Sequence, residues 1–196
     1  MNFKARNKLT IGLTGGILCG KSTALQVWQR LGAFVLSCDD LVREISARPS
    51  VQKELVSVFG LMDRGELTKR VFTNKQDRLK LEHILHPLVM REIVRRLKKN
   101  TAQIRVIEVP LLFEAAWQDK FDLTVALLAP KNVLSARAKK RGLTQTDLLK
   151  RSKVQLPQEQ KAARADICIL NGGSEAELTA KVKILHKAFS KIYNVK

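Results

Sequence analysis

The 196-residue sequence predicts an α/β fold, in which a five-stranded parallel sheet is flanked by helices and interrupted by an all-helical insertion. Short apolar segments alternate with amphipathic ones over residues 1–48 and 101–196, as expected for a sheet built from strand–helix units. Residues 49–100 contain no convincing strand and repeat apolar side chains near every 3.6 positions. We therefore expect one domain with a core at about 1–48 and 101–196 and a helical insertion at about 49–100.

The first strand is predicted over residues 8–14 and the first helix over 21–31. The loop between them gives residues 13–23 the sequence L-T-G-G-I-L-C-G-K-S-T, which fits the pattern G-x-x-x-x-G-K-[ST] of a phosphate-binding loop, or P-loop. Glycines let backbone N–H groups turn inward around phosphate oxygens, and the helix N-terminus favours the same anion. The alternative, an ordinary glycine-rich turn, does not require this order of strand, loop and helix.

Each position of this loop has an expected role in binding a nucleotide. Lys21 would meet the β- and γ-phosphates of ATP, and the Ser22 hydroxyl would be a ligand of Mg²⁺. The remaining positions would surround the phosphates mainly through their backbone. The predicted nucleotide-binding residues of the loop are Gly15, Gly16, Leu18, Cys19, Gly20, Lys21, Ser22 and Thr23.

The second strand, residues 33–36, ends at Ser37-Cys38-Asp39-Asp40. Ligands of open parallel sheets bind outside the carboxyl ends of the strands, so Asp39 or Asp40 should face the same crevice as the loop. The other strands are predicted at 104–109, 123–128 and 167–170, and the other core helices at 131–140 and from Ser174 nearly to the end of the chain.

The insertion is predicted to be a substrate-binding lobe. A helix begins at residue 41 and is interrupted at Pro49, further helices cover 52–59 and the surroundings of Val71, and a long one covers 76–99. Pro87 should kink or break this long helix, because it lacks an N–H donor. Asn74-Lys75-Gln76-Asp77 spells the guanine-reading pattern N-K-x-D, but here it lies at a helix start, where Asn and Asp serve as caps.

Composition and charge narrow the classes of function. The chain is 45% hydrophobic, and no apolar run approaches the ~20 residues of a membrane span, so we expect a cytoplasmic protein. Its three cysteines have no metal-type spacing and are expected to be reduced thiols. The net charge of +18 favours polyanionic partners: nucleic acid, nucleotides or phosphorylated cofactors, unless it is only a solvated surface. Aromatic residues, 5% of the chain, do not alternate with the basic runs, so no specific nucleic-acid binding is expected.

The region after the fourth strand favours a small-molecule kinase. Such an enzyme needs Mg²⁺ and mobile cations that cover the transferring phosphoryl group. Residues 139–163 are predicted to form a lid, with a helix beginning at Thr144. Arg137 and Arg141 would reach the ATP phosphates when this lid closes, although a solvated basic face would have the same composition.

Several segments together resemble dephospho-CoA kinases, in the order expected along most of the chain. The His-Pro and P-L-L-F-E segments are the most discriminating of these. The matching residues are Leu13-Thr14-Gly15-Gly16, residues 35–39 followed by Arg43, Asp63-Arg64, Leu67, Val71-Phe72, residues 84–89 (I-L-H-P-L-V), residues 109–114 (V-P-L-L-F-E), and residues 155–172, which include Lys161, Asp166, Asn171 and Gly172.

The resemblance implies an activity. ATP would phosphorylate the ribose 3′-hydroxyl of dephospho-coenzyme A, with Asp39 as the carboxylate that orients the hydroxyl and accepts its proton. Asp40 is the competing candidate for that role. Arg43 would bind a substrate phosphate, and His86 and Glu114 would contact substrate, although His86 fits a packing role equally well. Asn171 and Gly172 would line the adenine site.

Two features depart from the family pattern, and two other functions stay open. Ser37 stands where many members have a second acid, and the segment at 60–63 is short. Another P-loop kinase, such as one for nucleoside monophosphates, and a nucleic-acid-binding NTPase are the alternatives. The expected partners are therefore ATP and dephospho-coenzyme A, with no prediction of oligomeric state.

Overall fold

A computed structural model describes residues 1–60, 63–144 and 154–193 of the chain. Five parallel strands form one sheet in the order β2-β3-β1-β4-β5, which confirms the predicted fold. All seven residues of β1 are buried, because it is the central strand and both faces of the sheet are covered. The strands are β1 (Leu9–Gly15), β2 (Phe34–Ser37), β3 (Ile104–Glu108), β4 (Leu123–Leu128) and β5 (Ile167–Leu170).

The two faces of the sheet pack against different helices. Ile104 and Val106 of β3 join the core formed with α1 (Lys21–Arg30) and the C-terminal helix. Ile107, one position further along the same strand, joins the core formed with the helices Cys38–Ser46 and Lys75–Lys99. This alternation follows from the period of two in a strand. The other helices that border the sheet are α6 (Lys131–Lys140), α7 (Gln158–Arg164) and α8 (Glu175–Ile192).

The insertion is helical wherever the structure describes it. Pro49 occupies the first turn of α3, where its missing N–H leaves no hydrogen bond unmade, so it starts a new helix instead of distorting the old one. The helices from α2 onward are α2 (Cys38–Ser46), α3 (Pro49–Phe59), α4 (Arg64–Thr73) and α5 (Lys75–Lys99).

The expected break at Pro87 does not occur. Pro87 lies inside α5, which is one continuous helix of 25 residues. Pro87 is exposed, whereas Leu85 and Val89 on either side of it are buried against α2 and the sheet. The carbonyl of His83, which loses its helical partner, belongs to an exposed residue that water can reach. Packing of the buried face therefore holds together a helix that its sequence alone would divide.

The N-K-x-D letters form a helix cap, as predicted. Asn74 is the N-cap of α5, and its side chain accepts hydrogen bonds from the backbone N–H groups of Gln76 and Asp77. Asp77 is buried and pairs with Arg70, with 2.7 Å between Arg70 Nε and Asp77 Oδ2. These contacts fix the corner between α4 and α5 and engage the Asp77 carboxylate within the protein.

Two further expectations concern the lid and membranes. The lid helix predicted from Thr144 falls on residues 145–153, which lie outside the described residues, so only the flanking helices α6 and α7 are known. No helix in the described part of the chain is both long and apolar enough to cross a bilayer.

Candidate active site

The phosphate-binding loop lies in the middle of the sheet, between the end of β1 and the start of α1. Gly15 and Gly20 both have positive φ angles, 146° and 94°. A Cβ on Gly15 would lie 2.6 Å from the Leu127 carbonyl oxygen, and one on Gly20 would lie 2.4 Å from Asn171 Nδ2. The loop therefore needs glycine at both positions for conformation and for space.

Lys21 reaches back over this loop. Its Nζ donates hydrogen bonds to the carbonyl oxygens of Gly15 at 3.1 Å and Gly16 at 2.8 Å. Burial lowers the pKa of Lys21, while the nearby Glu108 carboxylate raises it. The ammonium group is thus held at the mouth of the loop with acidic groups opposite it.

Two carboxylates flank the loop at the carboxyl ends of neighbouring strands. Glu108 ends β3 and stands in register with both Leu13 of β1 and Ser37 of β2. Asp39 follows β2 in the first turn of α2. Burial raises the pKa of Glu108, Lys21 opposes that rise, and Asp39 adds to it. Lys21, Glu108 and Asp39 thus form one group of charges at this edge of the sheet.

A cavity of about 470 Å³ opens beside these groups. Ser22, Asp39 and Glu108 all line it, so the first turn of α1 and both carboxylates share one space. Asp40 and Arg43 also line the cavity and form an ion pair with each other, each with more than half of its side chain exposed. Arg43, which the sequence suggested as a ligand of a substrate phosphate, thus lines the cavity and pairs with Asp40.

The other side of the loop is bounded by Asn171 and Arg137. Asn171 is buried, and its Nδ2 donates to the Cys19 carbonyl oxygen at 2.9 Å. The Arg137 guanidinium donates to the carbonyl oxygens of Leu18 at 3.0 Å and Asn171 at 3.3 Å. Gly172 packs against Pro130. The structure thus brings Asn171 and Arg137 into contact with the loop. Arg141 is different, because it is exposed at the C-cap of α6 and makes no side-chain hydrogen bond to another described residue.

Cys19 fills space inside the loop. It is buried, and its Sγ donates to Gln158 Oε1 at 2.9 Å. Gln158 also exchanges two hydrogen bonds with the backbone of Ala129, at 3.1 and 2.8 Å. Burial raises the pKa of the Cys19 thiol, which opposes thiolate chemistry.

His86 and Glu114 lie elsewhere. They line neither this cavity nor a second cavity, of about 490 Å³, that lies between α2 and the helices α3, α4 and α5. The His86 ring packs edge-on against Trp117, with 5.2 Å between ring centroids, and burial lowers the pKa of His86. Glu114 accepts the Leu156 N–H at 2.7 Å and pairs with the fully buried Lys161 at 2.9 Å. His86 therefore connects α5 to Trp117, and Glu114 connects the segment after β3 to Leu156 and Lys161.

Three residues around the site carried no separate signal in the sequence. The sequence marked Lys161 only as part of the family pattern and gave it no role. In the structure it is a buried lysine that pairs with Glu114 and fixes the end of the lid region. Gln158 is one of several polar residues in the first turn of α7, and nothing in the sequence set it apart from them. Arg96 lines the cavity from α5, and nothing distinguished it from the other arginines of that helix.

The side chains around the cavity limit how a metal ion could bind. Within residues 1–60, 63–144 and 154–193, no three His, Cys, Asp or Glu side chains form a group that could hold a metal ion. The cavity does offer oxygen atoms from Ser22, Asp39 and Glu108, and Mg²⁺ in kinases keeps several waters and binds substrate phosphates. The residues present therefore fit Mg²⁺ that arrives with a nucleotide.

Comparison with known proteins agrees with this architecture. The family model described as dephospho-CoA kinase matches residues 9–177. A dephospho-CoA kinase of Aquifex aeolicus strain VF5 is 35% identical, over 92% of this chain and 97% of that protein. A Thermus thermophilus crystal structure has a TM-score of 0.82 and 32% identity, covering 92% of this chain and 97% of that one. Dephospho-CoA kinase from Campylobacter jejuni has a TM-score of 0.68 and 26% identity, covering 93% and 97%.

Proposed function

The chain belongs to the dephospho-CoA kinase family, and we propose that Asp39 is the carboxylate that orients and deprotonates the acceptor hydroxyl in that family's reaction. The enzyme is a transferase that uses ATP to phosphorylate dephospho-coenzyme A, the last step of coenzyme A biosynthesis. The acceptor atom in our proposal is the ribose 3′-hydroxyl oxygen.

One observation carries the assignment of Asp39. It lines the same cavity as Ser22 and Glu108, and its charge acts on Lys21. Asp40 lines that cavity too and is the competing candidate. A general base must lie within hydrogen-bond reach of the proton it accepts, and an acid next to the lysine of the loop satisfies that condition best.

The donor half of the site follows from the loop. We propose that Lys21 neutralises charge on the β- and γ-phosphates and that loop backbone N–H groups bind the remaining oxygens. Arg137 stands beside the loop, where it can serve the nucleotide, and Arg141 would join it when the lid closes. Asn171 and Gly172 would line the adenine site, and Arg43 would bind a phosphate of the acceptor.

Mg²⁺ belongs to this proposal as the partner of ATP. Ser22 would contribute its hydroxyl oxygen, with waters and phosphate oxygens completing the coordination. The ion would neutralise charge that develops on the transferring phosphoryl group. Glu108 lies near enough to Lys21 to share in the charge balance of the site.

The arrangement of the chain supports different roles for its core, its helical insertion and its lid. We propose a single kinase domain, in which residues 49–100 are the substrate-binding lobe and 139–163 the lid. His86 and Glu114 then act at the junctions of these parts: His86 through Trp117, and Glu114 through Lys161. Three unpaired cysteines and the use of ATP favour a cytoplasmic location.

The test compares Asp39→Asn with Asp40→Asn in an assay of ADP and coenzyme A formation. Losing the base should lower kcat of Asp39→Asn by about 10²–10⁴-fold while the KM for ATP changes little. Asp40→Asn is the matched control, because it removes a neighbouring exposed carboxylate, and it should keep most of kcat.

The reverse result, with Asp40→Asn inactive and Asp39→Asn active, would overturn the assignment. Turnover of a nucleoside monophosphate together with none of dephospho-coenzyme A would overturn the reaction itself. Unfolding curves of both variants show whether a loss of rate reflects a loss of folded protein.

A further inference from the structure

The insertion contributes one described residue to the wall of the 470 Å³ cavity, and that residue is Arg96. It lies near the C-terminal end of α5, on the helix that packs against α2. The cavity wall otherwise comes from α1, β2, α2 and the end of β3. Its charged members are three acids, Asp39, Asp40 and Glu108, and two cations, Arg43 and Arg96.

Two carboxylates hold the Arg96 guanidinium in place. Its Nε donates to Glu92 Oε1 at 2.7 Å, and its Nη2 donates to Glu44 of α2. Glu92 is buried, and it also accepts two hydrogen bonds from Arg95. The two carboxylates bind two different nitrogen atoms of the planar group, Nε and Nη2. The guanidinium is therefore oriented before any substrate binds.

Arg48 completes this cluster by contacting both acids, at 3.3 Å from Glu44 and 3.4 Å from Glu92. Three arginines therefore meet two glutamates, so the cluster as a whole carries one excess positive charge, and Arg96 is its member that lines the cavity. Arg43, the other cation of the wall, is already balanced by Asp40. Arg96 is therefore the cation that the described part of the insertion brings to the cavity wall.

We propose that Arg96 is a second binding residue for the acceptor and that its guanidinium contacts the diphosphate of dephospho-coenzyme A. This inference rests on the proposed function, since it takes the cavity of Asp39 to be the acceptor site. An acceptor that brings its hydroxyl to Asp39 also brings a diphosphate anion into a space lined by three carboxylates. A fixed guanidinium matches that anion in charge and in geometry.

Arg95 provides the matched control. It precedes Arg96 on the same helix and binds the same Glu92, but it does not line the cavity. Replacing either arginine with glutamine removes one charge and disturbs the same cluster. A role confined to Glu92 would make the two variants behave alike, and unfolding curves of both variants show whether losing the Arg96 contact with Glu44 weakens the fold.

The experiment measures KM for dephospho-coenzyme A in Arg96→Gln and Arg95→Gln. It also measures the inhibition constant of adenosine, which has the ribose hydroxyl but no diphosphate, against dephospho-coenzyme A. Arg96→Gln should raise KM for dephospho-coenzyme A by about tenfold or more, the effect of a lost charge-assisted hydrogen bond. The inhibition constant of adenosine and the KM for ATP should stay within about twofold of wild type.

Three results would overturn the proposal: an equal rise in KM for Arg95→Gln, an equal weakening of adenosine binding by Arg96→Gln, or no rise in KM for Arg96→Gln. Arg96→Lys keeps the charge without the planar fork and should give an intermediate KM. Failure of the proposed function would appear separately, as an active Asp39→Asn enzyme or as no turnover of dephospho-coenzyme A.

Discussion

Position 20 requires glycine both for its backbone conformation and for the space around it, and a comparison with Gly32 distinguishes the two effects. Gly20 has a φ of 94°, and a Cβ there would also collide with Asn171. Gly32 has a φ of 87°, but a Cβ there would have no described atom within 4 Å apart from its chain neighbours. Gly32 therefore shares only the first reason.

We expect Gly20→Ala to lower the free energy of unfolding by more than the about 1–2 kcal/mol of a left-handed alanine. Displacing Asn171 shifts the loop backbone, so kcat/KM for ATP should fall by about 100-fold. Gly32→Ala should show the smaller stability loss alone. Thermal unfolding and steady-state kinetics of both variants check this, and equal kinetics would contradict it.

Residue types around the site were easier to predict than their partners. The loop pattern and the ends of the strands predicted that Ser22 and Asp39 would share a crevice, and they line one cavity. The spacing alone could not decide between Asp39 and Asp40, because residues three and four positions from Arg43 on a helix are both its neighbours. Arg96 was missed because its position depends on how α5 packs on α2, which brings it to Glu44, 52 residues away.

At the scale of elements, the cluster of Glu44 and Glu92 with their arginines joins α2 to α5. Hydrogen bonds from Arg95 and Arg96 lower the pKa of Glu92 from 4.5 to about 2, against the effect of burial. A carboxyl group whose pKa is lower in the folded state contributes stability above its unfolded pKa. That contribution is lost as pH falls through 4.5 toward 2.

The corresponding prediction compares Glu92→Gln with wild type. Between pH 6 and pH 3, wild type should lose about 0.5–2 kcal/mol more of its free energy of unfolding than the variant does, a range that allows for its partly exposed arginines. Urea unfolding at several pH values measures the difference. Parallel pH dependences for the two proteins would show that the Glu92 ion pairs add nothing to stability.

The elements themselves were largely predictable, for reasons that differ between strands and helices. Strands such as β4 are continuous apolar runs, and α8 starts at a capping box formed by Ser174 and Glu177. Pro87 misled the prediction, since local preference favours a break and tertiary packing of α5 overrides it. The sequence of the turn after β3 has no hydrophobic periodicity from which its structure could be predicted. Its Glu114 pairs with Lys161, which lies in a distant segment of the chain.

The net charge of +18 belongs to the whole molecule. Part of it is used locally, at the phosphate loop and in the cluster around Arg96. The rest is spread over exposed lysines and arginines, and such a surface attracts any polyanion through counterion release.

We therefore predict weak, salt-sensitive binding of duplex DNA and no stimulation of ATP hydrolysis by it. The dissociation constant at physiological salt should be on the order of 10⁻⁵ M or weaker, and binding should tighten steeply at low salt. Fluorescence anisotropy with a labelled duplex measures the salt dependence. Tight binding at physiological salt would instead favour a nucleic-acid-dependent enzyme.

The central position of β1 also determines the timing of assembly during synthesis. β1 is made first, yet its two neighbours, β3 and β4, follow only after the whole insertion has been translated. At 5–20 residues per second, roughly 100 intervening residues leave this fully buried strand without a partner for roughly 5–20 seconds. The ribosome-bound nascent chain thus carries its nucleotide loop on an unpaired strand, and chaperones have that interval in which to protect it.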